Sequence, residues 1–171
     1  MTNAKPVSER TISDNDASPM PWTKGSERLA GGSTYWLATV RPDGRPHLMP
    51  VLGVWVDGVL HFSAGPDTQK ARNIAANPQV SVSTEGDGSD VVVEGAAVAV
   101  RDGRRLDRVA TAYAEKYGWQ VEVRDGTFDA AGGAPTAGDP PYDVYEVVPD
   151  KAFALSTEGS MISTRWAFDQ D

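Results

Sequence analysis

The sequence predicts a mainly β (α+β) domain, an antiparallel barrel of six or seven strands with two or three helices packed on its outside. Three observations favour this fold class. Short runs of β-branched and aromatic residues alternate with turn residues at close spacing. The connections between these runs are mostly of hairpin length. Only a few segments carry the apolar spacing of a helix.

The composition limits the function classes. A chain of 171 residues is long enough for one domain with its own core. Its formal net charge of −8 argues against a nucleic-acid-binding surface, so an anionic ligand must be held by a local group of donors. The absence of cysteine excludes disulfides and thiolate metal sites. No apolar leader or membrane span begins the chain, so a cytoplasmic protein is expected.

The predicted elements follow a polar tail over residues 1–20, which is expected to be disordered, and fill a domain over residues 21–171. A first helix begins near Trp22, a second is expected after an N-cap at Asp67, and a third carries an apolar stripe that ends at Gly118. The predicted strands cover residues 34–41, 46–56, 59–63, 79–84, 91–101, 142–148, 151–156 and 164–168.

Residues 120–141 carry little periodicity and are expected to form a long loop insertion, either a lid or a disordered excursion. The two strands that follow are expected to pair around a turn at Pro149 and Asp150. The domain contains no internal repeat and no linker. A single folded unit with one long insertion is therefore the predicted organisation.

The segment over residues 63–73 is the most informative for function. It places the Ser63 hydroxyl, a turn of small residues and a helix start in succession. Lys70 in the first turn opposes the positive end of the helix dipole, which costs roughly a few tenths of a kcal/mol. A phosphate bound by the helix amides, Thr68 and Lys70 would offset that cost, and Asn73 lies on the same helix face. Taken alone, the segment also fits an ordinary cap with a solvated lysine.

Five segments in order carry a resemblance to a known family. Residues 35–51, 60–63 and 70–78 are similar to the pyridoxamine 5'-phosphate oxidase-like split-barrel family. Residues 91–96 and 164–168 resemble its branch of flavin and deazaflavin (coenzyme F420)-dependent oxidoreductases. The similarity covers roughly residues 22–168. It implies a split barrel of the FMN-binding type and a homodimer with the cofactor at the interface.

The resemblance also implies which residues contact the cofactor. The phosphate contacts map onto Ser63, Thr68, Lys70 and Asn73, and a C-terminal contact maps onto Trp166. Arg72 points elsewhere on the helix and is not included. The strand that lies along the cofactor ring maps onto Met49, Pro50, Val51, Leu52 and Gly53.

No side chains form a recognisable catalytic set. His47 and His61 lie in strands, where packed or exposed roles are more common than catalysis, and no serine lies in a nucleophile elbow. This pattern fits hydride transfer, because the cofactor carries that chemistry. The predicted function is reduction of an unsaturated or quinone-like small molecule with coenzyme F420, the preferred cofactor, or FMN.

Other functions stay open at this stage. An FMN-dependent protein of the oxidase type is one alternative, although the basic residues that grip vitamin B6 phosphate are not matched near the C-terminus. A non-catalytic carrier of flavin, F420 or haem is another, and a sensor domain that has lost its cofactor is a third. No metal site, nucleic-acid partner or membrane contact is expected.

Overall fold

The computed structural model of the chain describes residues 4–13, 17–86, 88–134, 138–156 and 162–169. Within these residues the helices are α1 (Trp22–Gly31), α2 (Gln69–Ala76) and α3 (Gly103–Tyr117). The strands are β1 (Pro6–Thr11), β2 (Tyr35–Val40), β3 (Pro46–Val51), β4 (Gly53–Val56), β5 (Val59–Ala64), β6 (Gln79–Gly86), β7 (Ser89–Ala99), β8 (Glu122–Arg124), β9 (Thr127–Asp129), β10 (Asp143–Ser156) and β11 (Ser163–Phe168). None of the described helices is long and apolar enough to cross a membrane.

Nine of the described strands form one antiparallel sheet, and seven of them follow the order β3-β2-β6-β7-β10-β5-β4. β3 and β4 stand at the two ends of this path, although they follow each other in the chain and are joined through Leu52. The sheet is therefore not closed at this point. The prediction of an antiparallel split barrel with peripheral helices is confirmed.

β10 is one long strand, so the predicted strand pair around Pro149 and Asp150 is wrong. Its register against β7 shifts between Pro149 and Lys151, which marks a β-bulge. A bulge accommodates a proline because it releases the ladder bond that proline cannot donate. Gly95 lies opposite Pro149, and a Cβ on it would lie 2.0 Å from the Val148 carbonyl oxygen. Before the bulge β10 pairs with β5, and after it with β11.

The N-terminal segment is not all tail. β1 pairs with β11, and the Trp22 indole donates a hydrogen bond of 3.2 Å to the Ala4 carbonyl oxygen. The prediction of disorder over residues 1–20 is therefore wrong for Pro6–Thr11, where most side chains are exposed and the alternation that marks a strand is absent. Residues 1–3 and 14–16 of that prediction lie outside the described residues.

The expected long loop over residues 120–141 contains the hairpin β8–β9. Asp125 and Gly126 both have positive φ, 52° and 76°, as a two-residue hairpin turn requires. Phe128 on β9 is fully buried and packs edge-on against Tyr113 of α3. This hairpin and α3 enclose a second apolar core against β4 and β10, while the first core fills the barrel. Residues 135–137 lie outside the described residues.

Candidate functional site

The connection from β5 to α2 ends in a threonine cap. The Thr68 hydroxyl accepts a hydrogen bond from the Ala71 amide at 3.4 Å and donates one to the Gly65 carbonyl oxygen at 2.8 Å. The prediction of Asp67 as N-cap is wrong by one residue, because the threonine is the residue with extended backbone next to the first helical turn. Lys70 still lies in the first turn, and the amides of Gln69 and Lys70 have no acceptor within the helix.

Lys70 is half-buried at this helix start. Desolvation lowers the pKa of its ammonium group. None of the ion pairs found among the described residues involves Lys70, so no carboxylate there compensates its charge. A desolvated cation without a counter-ion, at the positive end of a helix, is an arrangement suited to binding an anion.

Two further basic residues lie at the same place. The Arg41 guanidinium at the end of β2 donates a hydrogen bond of 3.3 Å to the Gln69 side-chain oxygen. The pKa of His47 on β3 is lowered by desolvation first and then by the charges of Arg41 and Lys70. Arg41, His47 and Lys70 therefore form a basic cluster, and sequence reasoning had singled out Lys70 alone. The signal it left unused is that Arg41 and His47 flank one hairpin turn, where paired strands bring side chains together.

Asn73 is placed differently from the prediction that it contacts a phosphate. Its side chain is completely buried under α2. The amide nitrogen donates to the Thr39 hydroxyl at 2.9 Å, and the amide oxygen accepts from the Gln69 side chain at 2.7 Å. Both ends of the amide are thus engaged inside the protein. Arg72, which was set aside, is exposed and turns back to the Asp67 carbonyl oxygen at 2.6 Å.

β3 is the edge strand that carries the predicted ring contacts. It pairs with β2 and has no strand on its other side among the described residues. Met49 is 43% exposed, Pro50 is exposed and Leu52 is half-buried, whereas Val51 and Gly53 are buried. Since His47 belongs to both the basic cluster and β3, the basic cluster and the free strand edge are continuous. The strand of the predicted ring contacts and the helix start with the predicted phosphate contact at Lys70 are therefore neighbours in the structure.

The far end of this strand is held by α3. The Tyr113 hydroxyl donates to the Leu52 carbonyl oxygen, and the Tyr117 hydroxyl donates to the Gly53 carbonyl oxygen, each at 2.8 Å. The Lys116 ammonium lies 3.0 Å from the same Gly53 oxygen, and desolvation lowers its pKa to about 8. Sequence reasoning gave the α3 stripe a packing role only. In the structure the hydroxyl and ammonium groups of these α3 side chains also fix the point where β3 ends and the barrel stays open.

Two predicted contacts remain. Ser63 is half-buried near the end of β5; burial raises the pKa of the Tyr113 phenol, and hydrogen bonding with Ser63 opposes that rise. Trp166 is completely buried, donates to the Met20 carbonyl oxygen at 3.1 Å and meets Trp22 edge-on. A side chain with no exposed surface offers none to a ligand in this conformation. We therefore leave Trp166 outside the site, whereas Ser63 stays a predicted contact.

Comparisons with known proteins agree with this architecture. Residues 24–156 match the sequence model of the family described as pyridoxamine 5'-phosphate oxidase. No curated protein sequence matches the chain.

Three solved structures illustrate the range of similar proteins. A protein described as an F420 reductase is 26% identical, with a TM-score of 0.54 over 74% of this chain and 94% of its own. A pyridoxamine 5'-phosphate oxidase-related, FMN-binding protein from Nostoc punctiforme is 18% identical, with a TM-score of 0.57 over 89% and 92%. A haem-binding protein from Mycobacterium smegmatis is 17% identical, with a TM-score of 0.64 over 86% and 58%.

The family match spans the barrel from α1 to β10, including both the basic cluster and the free edge of β3. The solved structures share the fold over most of the chain. On these grounds the chain belongs to the pyridoxamine 5'-phosphate oxidase family of split-barrel proteins.

Proposed function

We propose that this protein is an oxidoreductase that binds a flavin or deazaflavin coenzyme, with the coenzyme phosphate at the start of α2 and the ring along β3. The basic cluster of Arg41, His47 and Lys70 carries this proposal. It gathers two cations and an imidazole at one helix start, on a chain with a net charge of −8, and Lys70 forms no ion pair among the described residues. That donor set fits a phosphate, because charge-assisted hydrogen bonds to phosphate are the strong ones.

Coenzyme F420 is the coenzyme we favour, and FMN is the alternative. The similar F420 reductase is 26% identical to this chain, whereas the similar FMN-binding protein is 18% identical. Both coenzymes carry a phosphate at the end of a ribityl chain that is attached to a planar ring, so the same cluster and strand edge suit either. Their phosphates differ in charge, since FMN has a monoester and F420 a diester.

The residues of the chain have binding roles in this proposal. The cluster holds the phosphate, the free edge of β3 orients the ring, and Tyr113 and Tyr117 keep the end of that strand in place. A coenzyme bound there in its reduced form would supply the hydride for a carbon–carbon double bond or a quinone, with the accompanying proton taken from water. The protein then contributes chiefly by proximity and orientation. The substrate class is an unsaturated or quinone-like small molecule.

We further propose that two copies of the chain assemble through the outer face of the sheet. Trp36, Val40 and Leu48 lie on that face and are 42%, 36% and 57% exposed. Trp36 pairs with Pro50 on one side and with Ser83 on the other, so this row of three residues across the face carries no charge. An exposed apolar face of this kind is typical of an interface.

A binding titration tests the proposed function. Apo-protein is titrated with FMN, coenzyme F420 and haem, and binding is followed by coenzyme fluorescence or Soret absorbance. We expect micromolar or tighter binding of F420 or FMN, and turnover of a menadione-like acceptor by the reduced complex. Tight binding of haem alone would instead support a carrier. Absence of binding by all three would refute the proposal.

The haem outcome has a structural argument against it. The sequence contains two histidines, His47 and His61. His61 is completely buried, and His47 sits beside two cations. Haem propionates would also suit the basic cluster, but of the two imidazoles the buried His61 is not accessible to an iron.

A further inference from the structure

A continuous chain of side-chain hydrogen bonds runs beneath the basic cluster. It begins at His47, whose Nδ1 lies 3.4 Å from the Thr39 hydroxyl. Thr39 accepts a hydrogen bond from the Asn73 amide nitrogen at 2.9 Å, and Asn73 accepts one from the Gln69 amide nitrogen at 2.7 Å. The Gln69 oxygen in turn accepts from Arg41 at 3.3 Å. Two members of the basic cluster are thus joined through three neutral side chains.

The centre of this chain is out of reach of any ligand. Thr39 is 1% exposed and Asn73 is completely buried. Asn73 lies 34 positions after Thr39, and Gln69 lies 28 positions after Arg41. The chain therefore fixes α2 against β2 as well as fixing side-chain directions. Buried polar groups that are all satisfied hold one geometry firmly, because every alternative leaves a group unpaired.

The Thr39 hydroxyl is able to serve both protonation states of His47. It lies 3.4 Å from both His47 Nδ1 and the His47 carbonyl oxygen. It donates its proton to Nδ1 of the neutral ring, or accepts from Nδ1 of the protonated ring while donating to the carbonyl. The charged groups that face His47 are Arg41 from β2 and Lys70 from α2. A bound anion opposes their effect, so His47 is expected to take up a proton when the anion binds.

We propose that Thr39 and Asn73 are positioning residues that hold Arg41 and His47 beside Lys70, so that the cluster meets the phosphate of the coenzyme as one preformed set of donors. This inference rests on the proposed function. In this inference, buried residues of β2 and α2 determine how strongly the protein prefers a phosphorylated coenzyme over the same ring without phosphate. Asn73 does so without touching the coenzyme, by fixing the Thr39 and Gln69 side chains to which it is hydrogen-bonded.

The test is the substitution Thr39→Val, which keeps the β-branched shape and cuts the chain at its centre. Dissociation constants are measured for FMN and for riboflavin, which has the same ring without the phosphate. We expect the ratio of the riboflavin constant to the FMN constant to fall by about tenfold, the scale of one charge-assisted hydrogen bond lost. Riboflavin affinity is expected to stay unchanged, because the backbone pairing of β2 with β3 and the ring contacts predicted at residues 49–53 are unaltered.

Thr84→Val is the matched control. Thr84 is also a buried strand threonine, 2% exposed, and its hydroxyl donates to the Thr34 carbonyl oxygen at 2.8 Å. It should lower the melting temperature to a similar degree while leaving the ratio of the riboflavin constant to the FMN constant unchanged. If both variants lowered the ratio equally, general destabilisation would explain the effect and the inference would be overturned.

A second readout uses inorganic phosphate and the apo-protein. The two imidazoles of the chain are followed by NMR during a pH titration. Phosphate should raise the pKa of His47 in the wild type, and by less in Thr39→Val. Normal wild-type binding with an unaltered ratio and an unaltered His47 response in the variant would overturn this inference alone. Failure of the wild type to bind FMN, F420 or phosphate would overturn the proposed function and this inference with it.

Discussion

At the residue scale, Lys70 is a candidate ligand contact because of where it lies, since a lysine by itself indicates no binding site. A half-buried ammonium group at the start of a helix is unfavourable twice, through desolvation and through the helix dipole. Surface lysines normally have neither problem. The neighbouring Arg41 guanidinium adds further positive charge, and no carboxylate in the described part of the chain forms an ion pair with Lys70. An anionic ligand is the simplest partner that removes all of these costs together.

His61 offers a pH-dependent test of packing under α3. It is completely buried, and desolvation lowers its pKa from 6.5 to about 4. Glu146 lies 3.9 Å away but is held by Arg105. As the pH falls below 6.5, the unfolded chain takes up a proton before the folded chain does. The free energy of unfolding should therefore fall by roughly 2–3 kcal/mol between pH 6.5 and pH 4 from this residue.

Denaturant unfolding at pH 7, 5.5 and 4.5 checks this expectation. His61→Gln should flatten the pH dependence in that window, whereas His47→Gln, at a half-exposed position, should largely preserve it. Equal slopes for the wild type and His61→Gln would show that His61 titrates normally in the folded protein.

The site residues that the sequence predicted are those with a local signal. Thr68 and Lys70 follow from the start of one helix, and both lie at that helix start in the structure. Arg41 and Gln69 could not be joined in the same way, because their contact spans 28 positions and depends on how α2 docks on β2. Asn73 was expected on the ligand side, since helical spacing alone does not reveal which face is buried.

At the element scale, the open point between β3 and β4 depends on Gly53. A Cβ on Gly53 would lie 2.7 Å from the Tyr35 ring, which is itself completely buried. Gly53→Ala should therefore lower the free energy of unfolding by about 1–3 kcal/mol, as overpacking does, and should weaken coenzyme binding. Gly103→Ala is the control, because a Cβ there meets nothing within 4 Å. Thermal unfolding that ranks the two variants equally would contradict this account.

The elements that the sequence predicted well are bounded by residues with a strong preference for turns. Asp57 and Gly58 adopt φ of 54° and 80° in the turn between β4 and β5, as their residue types require. The same dipeptide at Asp125 and Gly126 joins β8 to β9, but its flanking strands are short and partly polar, so the signal was missed. The broken prediction of β10 came from Pro149, whose tolerance in a bulge depends on the facing strand.

For the whole molecule, the positions of the charged residues matter more for binding an anionic coenzyme than the net charge does. The chain has a net charge of −8, yet Arg41 and Lys70 lie together with the His47 imidazole at the start of α2. Screening at physiological ionic strength limits their reach to about 8 Å. An anionic coenzyme is therefore recognised at close range, and its affinity should fall only moderately with salt.

The proposed dimer gives a prediction at the same scale. Leu48 is 57% exposed on the outer sheet face, so Leu48→Asp would place a charge within the proposed interface. We expect sedimentation equilibrium to show a dimer for the wild type and a monomer for this variant. Val7→Asp on β1, where the valine is 65% exposed, is the control and should leave the assembly unchanged. A monomeric wild type, or a dimeric Leu48→Asp variant, would refute the interface.

The most direct measurement of the central claim is the affinity of FMN against riboflavin, and of F420 against its ring without the phosphate, in the wild type and in Lys70→Ala. The account predicts that the phosphorylated form binds much more tightly to the wild type. Lys70→Ala should weaken that form by about 1.5–3 kcal/mol and leave the other form unaffected. Lys24→Ala, at an exposed position on α1, should change neither affinity. Equal affinity of the wild type for both forms would contradict the account.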